Sequence, residues 1–317
     1  LSIISPQHGG TFIDCTFGGG GYSQAILKFP GTNVVAIDRD DLTKEYAGIL
    51  KKKFPDRFVF FKEKFSNLNK IFTSDCSPQA IIFDLGLSSF QLSDKNRGFS
   101  FESKNFLNME MGINKYSAYE AVNNLSKEDL ATIIKVFGDE KDGKIIANSI
   151  HNYRMKKPIK TSEELASIIN KAKKSSKNFK RNPATKTFQA IRIFVNQELT
   201  ELMSGLIEAT KLLTKGGILA VVSFHSLEDK IVKNFLNLDS NFKKNPSRYL
   251  PVNKNQQNLF KTFSKKPLIP DTEEIKKNVR SRSAKLRYAV RNNNSFFYPK
   301  EFLKKYNNYL KLEEFKL

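Results

Sequence analysis

Residues 11–22 read Thr-Phe-Ile-Asp-Cys-Thr-Phe-Gly-Gly-Gly-Gly-Tyr, and this stretch decides the fold of the 317-residue chain. The apolar run Thr11–Cys15 predicts a buried strand that ends near Asp14. Four glycines follow, and a helix is predicted from about Tyr22. A turn without Cβ atoms at the end of a strand lets a ligand approach backbone N–H groups closely. The stretch therefore predicts a strand, a ligand-binding turn and a helix.

Short apolar runs recur along the chain, separated by amphipathic stretches of helical length. The further strands predicted from them are Asn33–Asp38, Arg57–Phe61, Gln79–Asp84, Ile218–Val222 and a terminal strand Arg287–Val290 at the sheet edge. Strands joined by helices imply right-handed crossovers and parallel pairing. We therefore predict an α/β fold with a doubly wound, mostly parallel sheet.

The strand signal stops at about Asn105 and resumes only at Ile218. Between them, Ser126-Lys-Glu-Asp129 and Thr161-Ser-Glu-Glu164 are typical of capping boxes that open helices. The pattern predicts an inserted all-helical domain, with the boundaries 1–105 and 187–317 for the sheet domain and 106–186 for the insertion.

Two more helices are predicted, one before and one after the strand at which the sheet resumes. An apolar stripe with spacings of three and four predicts one long helix over Thr187–Leu213. After the strand that begins at Ile218, Ser226 is predicted to cap the next helix.

The charge balance indicates a polyanionic partner. The chain has 53 Lys and Arg against 32 Asp and Glu, a formal net charge of +21. It lacks an apolar run of about 18 residues, so nucleic acid is favoured over a membrane. Two basic tracts stand out, although each alone is also typical of a solvated loop. The first contains Lys171, Lys173, Lys174, Lys177, Lys180, Arg181 and Lys186, and the second spans 241–291.

The cysteine and histidine content is low. Two cysteines and three histidines give neither a disulfide framework nor a metal-ligand spacing, so we predict no metal and a reduced, cytoplasmic protein. The chain begins at Leu1 rather than Met, and we expect a few residues to precede it.

The glycine turn and Asp38 together indicate an adenosine-containing cofactor. Asp38 ends the second strand about twenty residues on, where a carboxylate accepts both ribose hydroxyls. A nicotinamide enzyme shares both features, but the third glycine of its fingerprint is Ser23 here. Asp14, just before the glycines, would repel a pyrophosphate but suits the cationic methionine part of S-adenosylmethionine. We therefore favour a methyltransferase over a dehydrogenase, with a turn that only packs helix on strand as the third alternative.

Two further polar residues are predicted to lie at the same edge of the sheet. Asp84 closes the fourth strand, where ligands of open α/β sheets bind. It could hold the cofactor's ammonium group or accept a hydrogen bond from the substrate. His225 follows the later strand, and the interpretations of a base, a stacking partner or a hydrogen-bonded loop residue all stay open.

The ordered set of motifs resembles the MraW/RsmH family, which methylates the exocyclic N4 of a cytosine in the decoding region of small-subunit (16S) ribosomal RNA. The motifs are Asp14-Cys-Thr-Phe-Gly-Gly-Gly-Gly21, Ile37-Asp-Arg-Asp40, Phe83-Asp-Leu-Gly-Leu-Ser-Ser89, Arg97-Gly-Phe-Ser-Phe101, Asn182-Pro-Ala-Thr-Lys-Thr-Phe-Gln-Ala-Ile-Arg192, Ser223-Phe-His-Ser-Leu-Glu-Asp-Lys230 and Arg280-Ser-Arg-Ser-Ala-Lys-Leu-Arg287.

The resemblance implies a Rossmann-like class I methyltransferase domain interrupted by a helical domain that helps to bind RNA. It implies S-adenosylmethionine as cofactor and 16S rRNA within the small ribosomal subunit as partner, and it leaves a homodimer open. The cofactor contacts it implies are Gly20, Gly21, Tyr22, Asp38, Phe65, Asp84 and Gln91.

Two departures from the family pattern bear on the site. Tyr22 stands where many members carry His, and the family's Asp-Met-Arg-Met is Asn108-Met-Glu-Met111 here. The second departure keeps open a non-catalytic RNA-binding factor, against which the glycine turn, Asp38 and Asp84 argue.

The group that activates the amine is not fixed by a motif. The Pro-Pro-aromatic motif of many DNA amino-methyltransferases is replaced by Leu85-Gly-Leu-Ser88, which argues against a DNA enzyme. A small-molecule methyltransferase would not need the basic tracts. A hydrogen-bond acceptor must then assist the amine. We nominate Asp84 first, then Ser88 or His225.

Overall fold

The computed structural model describes residues 1–72, 76–114, 116–173, 182–238, 258–263 and 266–314. The strands are β1 (Gly10–Asp14), β2 (Thr32–Asp38), β3 (Phe58–Lys62), β4 (Ala80–Asp84), β5 (Ile218–Ser223), β6 (Phe260–Phe263) and β7 (Lys285–Arg291). The α-helices are α1 (Gly21–Leu27), α2 (Thr43–Lys53), α3 (Leu68–Ile71), α4 (Ser89–Ser93), α5 (Ala118–Asn124), α6 (Lys127–Gly138), α7 (Gly143–Arg154), α8 (Ser162–Ala172), α9 (Thr185–Asn196), α10 (Glu198–Leu212), α11 (Ser226–Leu236), α12 (Thr272–Lys277), α13 (Lys300–Lys305) and α14 (Asn307–Glu313).

The chain divides into two compact units. The sheet unit comprises Leu1–Gly86 and Glu201–Asn307, and the helical unit comprises Leu87–Thr200 and Asn308–Leu317. The insertion predicted at 106–186 lies entirely within the helical unit. Within the described ranges, no helix is both long and apolar enough to cross a membrane.

The sheet unit is built on one mixed sheet with the strand order β3-β2-β1-β4-β5-β7-β6. Strands β1 to β5 pair in parallel, whereas β7 runs antiparallel to both β5 and β6. The predicted doubly wound, mostly parallel sheet is thus confirmed. The prediction that β7 forms the edge was wrong, because β6 covers it. Strand β6 is only four residues long and lies in a lysine-rich tract, where no apolar alternation marks it.

One face of the sheet is packed by α1 and α2. The strands present Phe12, Val34, Phe58, Ala80 and Ile82 to this face, all nearly inaccessible to solvent. Helix α1 contributes Ile26 and Leu27, and helix α2 contributes Ala47 and Leu50. Each large side chain buried in this way stabilises the fold by roughly 1.5–3 kcal/mol. The packing anchors both helices, and therefore the turns that precede them, against the strand ends.

The predicted long helix Thr187–Leu213 is two helices, so that prediction was wrong. Gln197 between α9 and α10 has φ 52°, a left-handed conformation that ends the first helix. The carboxylate of Glu313 then accepts hydrogen bonds from the backbone N–H groups of Leu199 (3.1 Å) and Thr200 (2.9 Å). These N–H groups of the first turn of α10 would otherwise lack partners. The cap comes from a residue more than a hundred positions away, which helical periodicity cannot reveal.

The two predicted capping boxes differ in outcome. At the start of α8, Thr161 Oγ1 accepts from Glu164 N (3.1 Å), and the Glu164 carboxylate accepts from Thr161 N (3.3 Å), so this box is confirmed. At α6, Ser126 Oγ accepts from Asp129 N at 3.0 Å, but the Asp129 carboxylate accepts from the serine hydroxyl rather than from its backbone. Ser126 is therefore a simple N-cap.

We predict that the Glu313 cap weakens the helical unit as the pH rises. Burial raises the pKa of Glu313 from 4.5 to about 7, so the folded state binds the proton more tightly than the unfolded chain does. Its contribution to stability is therefore complete below the unfolded pKa and falls between about pH 4.5 and 7, by roughly 3 kcal/mol at most. The melting temperature of the wild type relative to Glu313→Gln should fall between pH 5 and 8. The exposed neighbour Glu314 provides the control, since Glu314→Gln should show no such trend. If the difference in melting temperature between the wild type and Glu313→Gln stayed constant across this pH range, the prediction would be contradicted.

Candidate active site at the carboxyl edge of the sheet

Strands β1 and β4 lie side by side at the centre of the sheet, and the chain leaves them in opposite directions. From β1 it continues outward to β2 and β3, whereas β5 lies on the other side of β4. Such a switch point opens a crevice at the carboxyl ends of the strands. Asp14 ends β1 and Asp84 ends β4, so both carboxyl groups are brought to this crevice.

The glycine turn has a backbone that only glycine adopts easily. Gly18 and Gly20 have φ of 53° and 78°, and a Cβ on Gly20 would lie 2.8 Å from the ring of Phe17. Gly19 and Gly21, by contrast, have no atom within 4 Å of an added Cβ. The turn is therefore closed on one side by Phe17 and open on the other, where a ligand can approach its backbone.

Asp38 connects this turn to the end of β2. One carboxylate oxygen accepts from Gly18 N at 2.8 Å, and the other accepts from Asp40 N at 2.9 Å. Burial raises the pKa of Asp38, although these two hydrogen bonds oppose the rise. Each carboxylate oxygen can accept a second hydrogen bond. The predicted position of Asp38 at the end of the second strand is confirmed.

Asp14 is fully buried, and its carboxylate joins the turn to α1. Its Oδ2 accepts from the hydroxyl of Ser23 at 2.7 Å, and its Oδ1 accepts from Thr16 N at 3.3 Å. Burial raises its pKa from 3.8 to about 6 despite both bonds. Ser23 occupies the position of the third fingerprint glycine, and its hydroxyl is what the carboxyl group of Asp14 requires there.

Asp84 has a buried polar atom at the crevice that lacks a hydrogen-bond partner. Its Oδ1 is buried and has no hydrogen-bond partner, although its backbone N–H donates to Thr16 Oγ1 at 2.6 Å. Burial, followed by the charges of Asp14 and Glu228, raises its pKa from 3.8 to about 7. Buried polar atoms of native proteins are nearly always paired. This oxygen is therefore suited to accept a hydrogen bond from a ligand.

The crevice has an excess of negative charge. Among the residues that the structure describes, no basic group acts on the pKa of Asp14 or Asp84, whereas neighbouring acidic groups raise both values. Carboxylates without a counter-charge disfavour an anionic pyrophosphate and favour a cationic ligand. S-adenosylmethionine meets this requirement, since its sulfonium and ammonium groups are both positive.

Tyr22 lies in the first turn of α1 beside these carboxyl groups. Burial and the charges of Asp84, Asp14 and Glu274 raise its pKa, so the phenol keeps its proton and can donate a hydrogen bond. Glu274 belongs to α12 and is exposed. Through Glu274, α12 contributes negative charge at Tyr22, which the sequence did not predict.

Phe65 follows β3 in a short 3₁₀-helix. Its ring meets Phe83 edge to face with 5.3 Å between centroids, and a Cβ on Gly205 would lie 2.5 Å from it. Both contacts fix the ring while leaving it half-buried. A fixed aromatic ring of this kind is suited to stack on a flat heterocycle such as the adenine of the cofactor.

His225 is the N-cap of α11, and the prediction that Ser226 caps this helix was wrong. Its Nδ1 accepts from Glu228 N at 3.4 Å, whereas its buried Nε2 lies 3.1 Å from Glu228 Oε1 without forming a hydrogen bond. Glu228 Oε2 in turn accepts from the backbone N–H of Phe224 at 2.9 Å. This arrangement supports the hydrogen-bonded loop interpretation of His225, and its roles as base or stacking partner stay predictions.

Two residues of this edge were not singled out from the sequence. Glu228 is buried and contributes negative charge to Asp84. Phe224 is half-buried, and its ring lies 3.4 Å from where a Cβ on Gly86 would be. Gly86 has φ 97°, which keeps the chain after β4 close to this ring. Of these two residues, only Glu228 could have been found from the sequence, because a glutamate three residues after a helix N-cap is typical of a capping box.

Ser88 and Gln91 belong to the helical unit, where they form a reciprocal capping box at the start of α4. Gln91 N donates to Ser88 Oγ at 3.3 Å, and Ser88 N donates to Gln91 Oε1 at 2.9 Å. These contacts account for the two residues locally. The predicted role of Ser88 toward the amine, and that of Gln91 toward the cofactor, stay predictions.

The departure at Asn108 preserves a hydrogen-bond acceptor. Asn108 Oδ1 accepts from Glu110 N at 2.6 Å, a bond that an aspartate could make equally well. Nearby, Arg97 Nη2 donates to the Glu110 carbonyl at 2.7 Å. The loop is thus held by hydrogen bonds from side chains to the backbone of Glu110, and these do not require an acid at position 108. The departure at Asn108 is therefore a weak argument for a non-catalytic protein.

The two sides of the glycine turn should respond differently to an added methyl group. Gly20→Ala should lower the stability by roughly 1–3 kcal/mol, because its Cβ meets Phe17 and its φ is positive. Gly21→Ala should retain stability but weaken binding of S-adenosylmethionine, because its Cβ occupies the open side. Melting temperatures and calorimetric titration would measure the two effects. If Gly20→Ala and Gly21→Ala had the same stability and lost the same cofactor affinity, the two sides of the turn would not differ as predicted.

The chain is similar to known methyltransferases over most of its length. The model of the MraW methylase family matches residues 1–292. A relative from Ehrlichia canis, "Ribosomal RNA small subunit methyltransferase H", is 45% identical over 90% of this chain and 95% of its own length. A protein of the same name from Afipia carboxidovorans is 41% identical over 93% of this chain and 89% of its own length. An rRNA methylase structure from Streptococcus thermophilus aligns over 90% of this chain and 88% of its own, with a TM-score of 0.39 and 10% identity.

The family match and the relatives confirm the predicted enzyme class and its cofactor, S-adenosylmethionine. The chain belongs to the MraW methylase family.

Proposed function

We propose that this enzyme transfers a methyl group from S-adenosylmethionine to the exocyclic N4 amine of a cytosine in the decoding region of 16S rRNA. The observation that carries the proposal is the buried, unpartnered Oδ1 of Asp84 at the switch point of the sheet. The names of the Ehrlichia and Afipia relatives support small-subunit ribosomal RNA as the substrate.

The cofactor would be held by residues of the sheet unit. The open side of Gly19 and Gly21 admits it to the turn, Asp38 has acceptor capacity left for the ribose, and Phe65 offers a fixed ring to the adenine. Asp14 and Asp84 supply negative charge for its cationic end. When bound, the cofactor supplies an electrophilic methyl group on sulfur.

Asp84 would also assist the attacking amine. The lone pair of the cytosine amine is delocalised into the ring, so an acceptor on its N–H increases its nucleophilicity. As the nitrogen bonds to the methyl carbon and the carbon–sulfur bond breaks, the nitrogen loses one proton. A carboxylate with a pKa of about 7 can accept that proton and release it to solvent near neutral pH. The half-buried ring of Phe224 would provide a surface for the base.

The described part of the second basic tract supports an RNA substrate. Lys277, Arg280 and Arg282 are exposed in and after α12, the helix whose Glu274 influences Tyr22. We propose that they bind phosphates around the target base, which must be single-stranded or flipped out. Other cations of the tract serve the protein itself, since Arg287 and Lys285 both pair with Asp229.

The first basic tract is only partly described. Lys174, Lys177, Lys180 and Arg181 lie outside the described residues, as do positions 241–257 of the second tract. Lys173 forms a buried ion pair with Glu140 at 2.6 Å, so its charge is neutralised within the helical unit. Lys171 is exposed and available to RNA, whereas the ammonium group of Lys186 donates to the Asp139 carbonyl at 2.6 Å and lies 4.0 Å from the Asp139 carboxylate.

The helical unit is proposed to contribute to RNA recognition, with 106–186 as its central part. A cytoplasmic location follows from the proposed substrate, and a homodimer remains our alternative to a monomer. A small-molecule substrate would leave the exposed cations near α12 without a role, and the sequence Leu85-Gly-Leu-Ser88 in place of a Pro-Pro-aromatic motif argues against DNA. Comparing radiolabelled methyl incorporation into small subunits, naked 16S rRNA and DNA tests this choice.

Methyl transfer should depend on the ionised form of Asp84. Because its pKa is raised to about 7, kcat/KM for S-adenosylmethionine should fall as the pH drops from 8 to 6. Asp84→Asn should lose at least roughly 100-fold in kcat/KM and most of this pH dependence. Asp56→Asn, at an exposed aspartate, is the matched control and should retain both the rate and the profile. Wild-type cofactor affinity and rate in Asp84→Asn would contradict the assignment.

The modified base should be found by mass-spectrometric mapping of 16S rRNA. We expect N4-methylation at one cytosine of the decoding region after incubation with the wild type and none with Asp84→Asn. Methylation at another nucleotide, or only of DNA, would contradict the proposed substrate.

A further inference from the structure

A second cleft, of about 530 Å³, lies at the amino edge of the sheet. It is formed by the turn before β5, by β6 and by the end of β7. Its lining residues include Lys215, Lys261, Arg291 and the run Asn292–Asn294, and none of them is acidic. Strand β5 spans six residues, which places this cleft about 20 Å from the carboxyl edge.

Arg291 is a buried cation without a counter-charge. The residue is 6% exposed, and its Nη atoms donate to the carbonyls of Leu259 (3.0 Å) and Asn294 (2.8 Å) and to the side chain of Asn292 (2.8 Å). Its Nε is buried with no hydrogen-bond partner. Among the residues that the structure describes, no carboxylate pairs with it, and burial lowers its pKa. Burial of a charge is unfavourable unless an opposite charge or strong hydrogen bonds compensate it.

The backbone makes Arg291 a fixed part of the cleft. Gly216 N donates to the Arg291 carbonyl at 2.9 Å, and Arg291 N donates to the Gly217 carbonyl at 2.8 Å. Asn292 Oδ1 also accepts from Asn294 N at 2.9 Å, which orders the loop that follows. The guanidinium group therefore keeps its position without a ligand, as a preorganised binding site requires.

Lys215 and Lys261 add positive charge at the rim. Both are exposed, and neither forms an ion pair with any residue in the described ranges. The two ammonium groups are donors that proteins use for phosphate, and the buried guanidinium group adds its positive charge behind them. The amide groups of Asn292 and Asn294 each donate to the Asn258 carbonyl and keep a second hydrogen for a ligand. The cleft thus has the opposite preference to the crevice at the carboxyl edge, where carboxylates predominate.

We propose that this cleft binds a phosphate group of the RNA backbone at a site separate from methyl transfer. The choice of RNA as the source of the phosphate rests on the proposed function, whereas the preference for phosphate rests on the cleft alone. At about 20 Å from the crevice, the site contacts a part of the RNA other than the target nucleotide. It would hold the RNA in register while the base enters the crevice.

The test replaces the two rim lysines and compares charge-matched variants. Lys215→Glu/Lys261→Glu is compared with Lys28→Glu/Lys52→Glu, whose exposed lysines lie directly after α1 and within α2. Binding of a fluorescent 12-residue oligouridylate is measured by anisotropy at several salt concentrations. Inorganic phosphate and uridine monophosphate are tested separately by their effect on the melting temperature. Titration with S-adenosylmethionine shows that the sheet unit of each variant is intact.

We expect the cleft variant to bind the oligonucleotide at least about tenfold more weakly than the control. Loss of two phosphate contacts should reduce the slope of log K against log salt by about 1.4. Lys215→Gln/Lys261→Gln should show a smaller loss in the same direction, which separates lost contacts from introduced repulsion. Equal binding by the cleft and control variants would overturn the proposal. A different result would overturn RNA as the source of the phosphate group. In that case inorganic phosphate would raise the melting temperature of the wild type but not of the cleft variant, and both proteins would bind the oligonucleotide equally well.

These measurements do not require methyl transfer. If the wild type methylates no RNA, the proposed function fails while the binding result stands. If methylation proceeds and the cleft variant keeps its KM for small subunits, the further site fails alone.

Discussion

The hydroxyl of Ser23 donates a 2.7 Å hydrogen bond to the buried carboxyl group of Asp14, and the site depends on this contact. It joins the end of β1 to the first turn of α1, so the intervening glycines form a fixed loop. It also keeps an ionisable group in a position that is inaccessible to solvent. Because Asp14 remains there, its charge raises the pKa of Asp84 across the switch point. A glycine at position 23 would leave that carboxyl group without its strongest hydrogen bond, so the acid and the serine belong together.

The two edges of the sheet differ in charge, and this difference organises the surface of the sheet unit. At the carboxyl edge, Asp14 and Glu228 lie close enough to Asp84 for their charges to raise its pKa. At the amino edge, Arg291 is buried against carbonyl oxygens, with lysines at the rim. A cationic cofactor is thereby favoured at the carboxyl edge, whereas the amino edge is suited to an anion such as a phosphate group.

The sequence predicted those parts of the fold that depend on local patterns. Apolar runs located the strands to within one or two residues, and the residue types at the strand ends identified Asp14, Asp38 and Asp84. The sequence failed where a partner came from far along the chain. Glu313 caps α10 and thereby divides a stripe that reads as a single helix. The short strand β6 covers β7, and no periodic pattern announces it.

Protonation and cofactor binding are coupled at the crevice. With a pKa of about 7, Asp84 is partly protonated at neutral pH, and Asp14 follows at about 6. A positive charge placed beside them favours their ionised forms, so binding a cationic cofactor releases protons. In the proposed reaction, the ionised form of Asp84 accepts a hydrogen bond from the amine. The arrival of the cofactor would therefore increase the fraction of Asp84 that is ionised, most of all near neutral pH, where the group is partly protonated.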